Sequence, residues 1–176
     1  MYRDRFYREG MGSGRFRSIT ISEGESDLWI GWNMHGSAKM ADARADDIKV
    51  DDTRAAQYGA DDIKVDDSGT DDSAAAELAT ELEQKSSELL KGIRRAIQDY
   101  GTAHPDFFTS LVPLPFDTES AEPVRSMLRA AWAAGMGPMA AVAGAIAEAL
   151  GRALQDCFQF DELVIENGGD YWISVK

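Results

Sequence analysis

Residues 138–157, PMAAVAGAIAEALGRALQDC, decide how the rest of the chain must be arranged. Val142, Ile146, Leu150 and Leu154 recur at i, i+4, the repeat of one helix face. Ala140, Gly144, Ala147 and Gly151 lie on the opposite side, since positions 142 and 144 are about 200° apart at 3.6 residues per turn. Both faces are apolar but differ in size, which predicts a helix lying between two layers. Its bulky side interlocks with other side chains, and its small side lets a backbone or a ligand come close. Two interior glycines cost about 1 kcal/mol each against alanine, and tight packing is the plain reason for carrying them.

Outward from this helix, a second one spans 123–134, with Pro123 suited to a first helical position and Gly135 to a stop. A long helix over 74–100 carries Leu78, Leu82, Leu89, Ile93, Ile97 and Tyr100, with a slip near Lys85, and Gly101 ends it. In HPDFFTSL (104–111) Phe107 and Phe108 are expected to plug the core. Two hairpins supply β structure. Residues 15–33 pair through the polar turn EGES, with Leu28, Ile30 and Trp32 on one side. LVIE and DYWISV pair through NGG, where Asn167-Gly168 is the turn signal because both residues accept positive φ. The expectation is one α+β domain over 1–176: a sheet from 15–33 and 163–175 against helices 74–100, 123–134 and 138–156.

Charge is unevenly distributed. The chain carries -13 in 176 residues, and residues 41–73 hold 11 Asp against 4 bases. The octapeptide ADDIKVDD occurs there twice, at 45–52 and 60–67. Two copies are too few for a solenoid, and like charges this dense repel on compaction, so an acidic flexible loop is expected. Its acids lack the calcium-loop pattern of alternate ligands, central Gly and terminal Glu. The overall sign gives no long-range attraction to nucleic acid or anionic membrane. No apolar run reaches the roughly 18–20 residues of a membrane span, and MYRDRFYREG lacks the apolar stretch of a secretory signal. A cytoplasmic protein is the expectation. One cysteine, Cys157, excludes a disulfide framework or multi-Cys zinc site, and reads as a structural thiol. His35 and His104 have no partner at ligand spacing. Glu148 and Arg152 form a favourable i, i+4 pair, and Trp132 and Trp172 read as core anchors.

Two segments could carry chemistry. In GMGPMAAVAGA (135–145), Pro138 at a helix start leaves the amides of Met139, Ala140 and Ala141 without helical partners. Gly135 and Gly137 remove side-chain shielding, so phosphate or carboxylate could bind there; an ordinary helix start is the alternative. The segment has neither a GxGxxG nor a P-loop pattern. In ENGGD (166–170), main chain at Gly168 and Gly169 could touch a ring or diphosphate, and Glu166 and Asp170 could hold Mg²⁺ through waters; a simple turn is the alternative.

The pieces ESDLWI, HPDFFTSLVPLP, EPVRSMLRAAWAAGMGPMAAVAGAIAE and IENGGDYW together resemble an uncharacterised family of bacterial and archaeal proteins. That family is related to the ApbE flavin transferases, and ENGGD is similar to the transferases' own Asn-x-Gly-Gly-Asp turn. The resemblance implies an ApbE-like α+β fold that binds FAD, and in the transferases the FAD pyrophosphate is split with Mg²⁺ and FMN moves to a threonine of a target protein. Carried over by position, Asn167, Gly168, Gly169 and Asp170 match the transferase motif, while GMGPM belongs to the family's own pattern. The family pattern continues past Asp170 into a Gly/Ser/Thr-rich half, so a chain truncated at its C-terminus is one expectation. The functional expectation is an ApbE-like protein binding FAD, FMN or another phosphate-bearing small molecule. Gly135, Gly137, Met139, Ala140, Asn167, Gly168 and Gly169 would be at the cofactor, and Glu166 and Asp170 at Mg²⁺. A non-catalytic ligand-binding protein, or a homo-oligomeric structural protein using the Ala/Gly helix face as its contact, is the alternative.

Overall fold

A computed structural model describes residues 16–34 and 72–176. The amino-terminal arm, His35 and the acidic repeat lie outside the described residues. The elements are β1 (Arg17–Glu23), β2 (Ser26–Asn33), α1 (Asp72–Ala103), α2 (Asp106–Thr109), α3 (Glu122–Ala134), a 3₁₀ turn (Pro138–Ala141), α4 (Val142–Cys157), β3 (Glu162–Asn167) and β4 (Asp170–Val175). The fold is α+β. The four strands form one antiparallel sheet in the order β1-β2-β3-β4.

Period-2 alternation gives the sheet its core face. Ile21 pairs with Leu28, Ile19 with Ile30, Ile30 with Ile165 and Trp32 with Leu163, and Leu28, Ile30, Leu163 and Ile165 are fully buried. One helix layer covers that face: α1 packs over β1, and α4 over β3 and β4, with α3 against both helices. The two-faced reading of α4 holds. Ile146, Leu150 and Leu154 are buried in the main core. On the small face, a Cβ built on Gly151 would fall 2.1 Å from the Trp172 ring, and one on Gly144 would fall 3.6 Å from Asp170 Oδ2. The β3–β4 hairpin therefore packs on this face at Gly144 and Gly151.

Four expectations change. Gly101 does not stop α1, which continues to Ala103. The Phe108 ring lies where a Gly101 Cβ would project, 2.1 Å from its Cζ, so glycine is needed there for packing and the helix continues through it. The slip near Lys85 is a serine in a core position: Ser86 is fully buried between Leu82 and Leu90, and Leu90, not Leu89, completes the stripe. The helix expected from Pro138 starts as a single 3₁₀ turn and becomes α-helical only at Val142. Trp132 is 59% exposed, its indole N–H donating to the Leu114 carbonyl at 2.6 Å, and is not a core anchor. Phe107 is fully buried and Phe108 partly so, as their sequence context predicts.

Candidate functional site

The register places both hairpin turns at one end of the sheet, because Leu28 of β2 stands opposite Asn167 of β3. The first turn is Gly24-Glu25, with Gly24 at φ 57°. The second turn differs from the expected one. Asn167 is the last residue of β3 and pairs with Asp170, so the two central residues are Gly168 and Gly169, at φ 66° and 98°. Two successive positive φ values suit glycine and match the twist of a two-residue hairpin.

The buried Glu166 side chain fixes this turn, its Oε1 accepting the Gly169 N–H at 2.8 Å. Asn167 is also buried, and its Nδ2 donates to the Ala143 carbonyl at 3.1 Å. The turn is thereby fastened to the first turn of α4, and an ideal Cβ on Gly168 would sit 4.0 Å from the Ala143 Cβ.

Between the two turns, α1 and the start of α4 lies a cleft of about 470 Å³, within the ~300–1,000 Å³ typical of small-ligand sites. Its apolar lining is Ile97, Phe108, Met139, Val142 and Ile146, and its polar lining is Glu25, Ser26, Arg94, Gln98, Asn167 and the Gly168 main chain. Arg94 is the cation among these lining residues. Its guanidinium donates to the Ser26 hydroxyl and lies over Gly24, where an ideal Cβ would come within 2.7 Å of Nη2. Ser26 is buried, so the guanidinium is held in place by both hairpin and helix.

Of the residues singled out by sequence, Met139, Asn167 and Gly168 share this cleft. Gly135 and Gly137 have reasons internal to the fold. Gly135 caps α3 in the left-handed region at φ 67°, and a Gly137 Cβ would overlap the Ser110 carbonyl oxygen at 1.8 Å. The Ala140 amide donates to the Gly137 carbonyl at 3.1 Å, so it is not an open donor. Gly169 and Asp170 are exposed beyond the cleft lining. The two residues of the Mg²⁺ expectation are placed differently, Glu166 buried and Asp170 exposed. Glu166 is buried with an oxygen on the Gly169 amide, and no group of three or more His, Cys, Asp or Glu among the described residues could hold a metal ion. His104 follows α1, its ring stacked on Tyr100 at 4.2 Å. Burial, with Asp117 accepting from its hydroxyl, raises the Tyr100 phenol above its ordinary value.

Arg94 is the residue that sequence reasoning missed. It belongs to the charged face by residue type, yet it lies four residues after the buried Leu90 and three before the buried Ile97. That phase turns it toward the sheet.

The family model described as AbpE bacteria matches residues 51–176, well over half of the chain. The chain belongs to the AbpE bacteria family. It is 37% identical over 93 residues to a UPF0280 protein of Methanocaldococcus jannaschii, covering 53% of this chain and 36% of that protein. A UPF0280 protein of Archaeoglobus fulgidus is 40% identical over 96 residues, 53% of this chain and 40% of the relative. One from Methanospirillum hungatei is 43% identical over 88 residues, 49% and 35% respectively. The chain thus spans between a third and two fifths of the length of the curated relatives it matches. Among the described residues of this AbpE bacteria family member, no single helix is long and apolar enough to cross a membrane.

Proposed function

We propose that the cleft between the two hairpin turns binds a small molecule with a flat apolar ring system and a phosphate group, of the flavin-nucleotide class. The observation that carries this reading is the Arg94 guanidinium, held by Ser26 in a cleft whose lining combines an apolar wall with the polar side chains of Glu25, Gln98 and Asn167. In a chain of net charge -13, a fixed cation in a concave site supplies a local anchor for an anion. A guanidinium offers paired N–H donors whose fork matches phosphate oxygens. The wall of Ile97, Phe108, Met139, Val142 and Ile146 offers apolar contact area for a ring. Membership of the AbpE bacteria family and the ENGGD segment support the flavin choice within this class. The proposal covers binding; the cleft residues define no transfer step.

The test is fluorescence titration of the full chain with FMN and FAD, beside Arg94→Gln and Ile146→Glu variants whose folding is checked by circular dichroism. Saturable quenching by the native chain is expected. Arg94→Gln should weaken it tenfold or more, with a smaller effect on riboflavin, which lacks phosphate. Ile146→Glu should abolish binding of all three. Absence of saturation by FMN and FAD, or equal FMN affinity in native chain and Arg94→Gln, would overturn the reading.

A further inference from the structure

Of the polar side chains lining the cleft, Ser26 and Asn167 are buried, whereas Glu25 and Gln98 are exposed. Ser26 is taken up by the Arg94 guanidinium. Asn167, only 5% exposed, uses half of its amide. Its Nδ2 donates to the Ala143 carbonyl at 3.1 Å. A main-chain carbonyl can only accept, so this bond fixes which way round the amide lies and leaves Oδ1 on the other side. Among the described residues no hydrogen bond reaches that oxygen. It is not sealed in either, since the buried side-chain polar atom left without a partner among those residues is the Ser86 hydroxyl. An acceptor on an otherwise enclosed residue that lines the cleft is therefore open to the cleft. Held there, it is unfavourable until a donor meets it.

Its position relative to Arg94 says which part of a ligand it meets. Asn167 stands opposite Leu28. Ser26, which holds the guanidinium, comes two residues earlier on β2, about 7 Å along an extended strand. A phosphate brings acceptors, which suit the guanidinium; the Asn167 oxygen calls for a donor on another part of the same molecule. Building on the reading that a flat ring with a phosphate group occupies this cleft, we propose that Asn167 Oδ1 selects for a ring N–H. In a flavin this is the imide N–H at nitrogen 3, on the ring edge remote from the phosphate-bearing chain. A ring that presents an acceptor or an alkyl group at that point leaves the Asn167 oxygen unmet, and a buried site built for a donor rejects such an analogue. Arg94 then supplies the anchor for the phosphate, and Asn167 the discrimination between rings.

Fluorescence titration of the full chain with FMN and with FMN methylated at nitrogen 3 tests this, and the comparison needs no variant. The native chain should bind FMN at least tenfold more tightly than the methylated form. Asn167→Leu, similar in bulk and with its fold checked by circular dichroism, should lose FMN affinity until the two ligands bind alike. Arg94→Gln should weaken both and keep their ratio. Equal affinity of the native chain for both ligands, with FMN still dependent on Arg94, would overturn this proposal and leave the binding reading standing. A preference for FMN that persists in folded Asn167→Leu would set the N–H against another group and overturn it too, as would loss of both ligands from that folded variant. Absence of saturable FMN binding removes the underlying reading, and this one with it.

Discussion

The Asn167 side-chain amide donates to the main-chain carbonyl of Ala143 over 3.1 Å, joining the last residue of β3 to the first turn of α4. Across this bond the sheet and the helix layer meet at the floor of the cleft. Replacing Asn167 by Ala removes the donor from a buried position and should cost about 1 kcal/mol. Asn167→Asp sets a carboxylate against a carbonyl and should cost more. Chemical denaturation of the pair should rank aspartate below alanine, and an equal ranking would mean that the side chain is not held there.

Two helical glycines should respond in opposite directions. Gly151→Ala drives a methyl into the Trp172 ring, 2.1 Å away, and overpacking of this kind costs roughly 1–3 kcal/mol. At Gly92 an added methyl would meet nothing within 4 Å, so Gly92→Ala should gain about 1 kcal/mol from helix propensity alone. Thermal melts of both variants give the comparison, with the two midpoints moving to either side of the native one.

Ser86 is fully buried, and its hydroxyl finds no hydrogen-bond partner among the described residues. A buried hydroxyl without a partner costs roughly 1–3 kcal/mol relative to an apolar atom, and alanine is also the better helix former. Ser86→Ala should therefore raise the urea midpoint with an unchanged m-value. A fall would show that the hydroxyl is engaged.

Glu148 ties α3 to α4 through its carboxylate. The Ser126 hydroxyl donates to its Oε2 at 2.7 Å and Arg152 reaches Oε1 at 2.9 Å. The Ser126 bond first, then the Arg152 bond, hold the Glu148 carboxyl below its ordinary range. A carboxyl lowered by folding adds stability that is present above its unfolded pKa and is lost as pH falls through the folded value. Ser126→Ala should flatten that acid-side loss. Urea midpoints for native chain and variant, measured from about pH 7 to about pH 3, should converge as the carboxylate is protonated.

Periodicity and turn chemistry made most of the architecture legible. The alternation of Leu28, Ile30 and Trp32, the proline and glycine flanking α3, and the two unequal faces of α4 each have a local cause, and each is seen in the fold. The misread positions have distant causes. Gly101 looks like a helix stop until Phe108, from the following turn, is seen lying on it. Gly137 looks like an open approach until Ser110 occupies the space. Trp132 looks like core by its size, yet its N–H is drawn to the Leu114 carbonyl at the surface. In the site, the ENGGD turn could be read locally and only its centre was shifted by one residue. Arg94 could not be chosen over the adjacent Arg95 by residue type; only helical phase separates the one facing Ser26 from the one paired with Asp99.

The contact between Gly151 and the face of Trp172 also bears on variation among homologues. An indole lying flat on a bare helix backbone leaves no slack, so bulk at these two positions has to be traded. A relative that gains a side chain at the position of Gly151 should surrender ring size at that of Trp172. Substitutions at this pair, read across an alignment, should therefore be anticorrelated in volume while neighbouring sites drift independently.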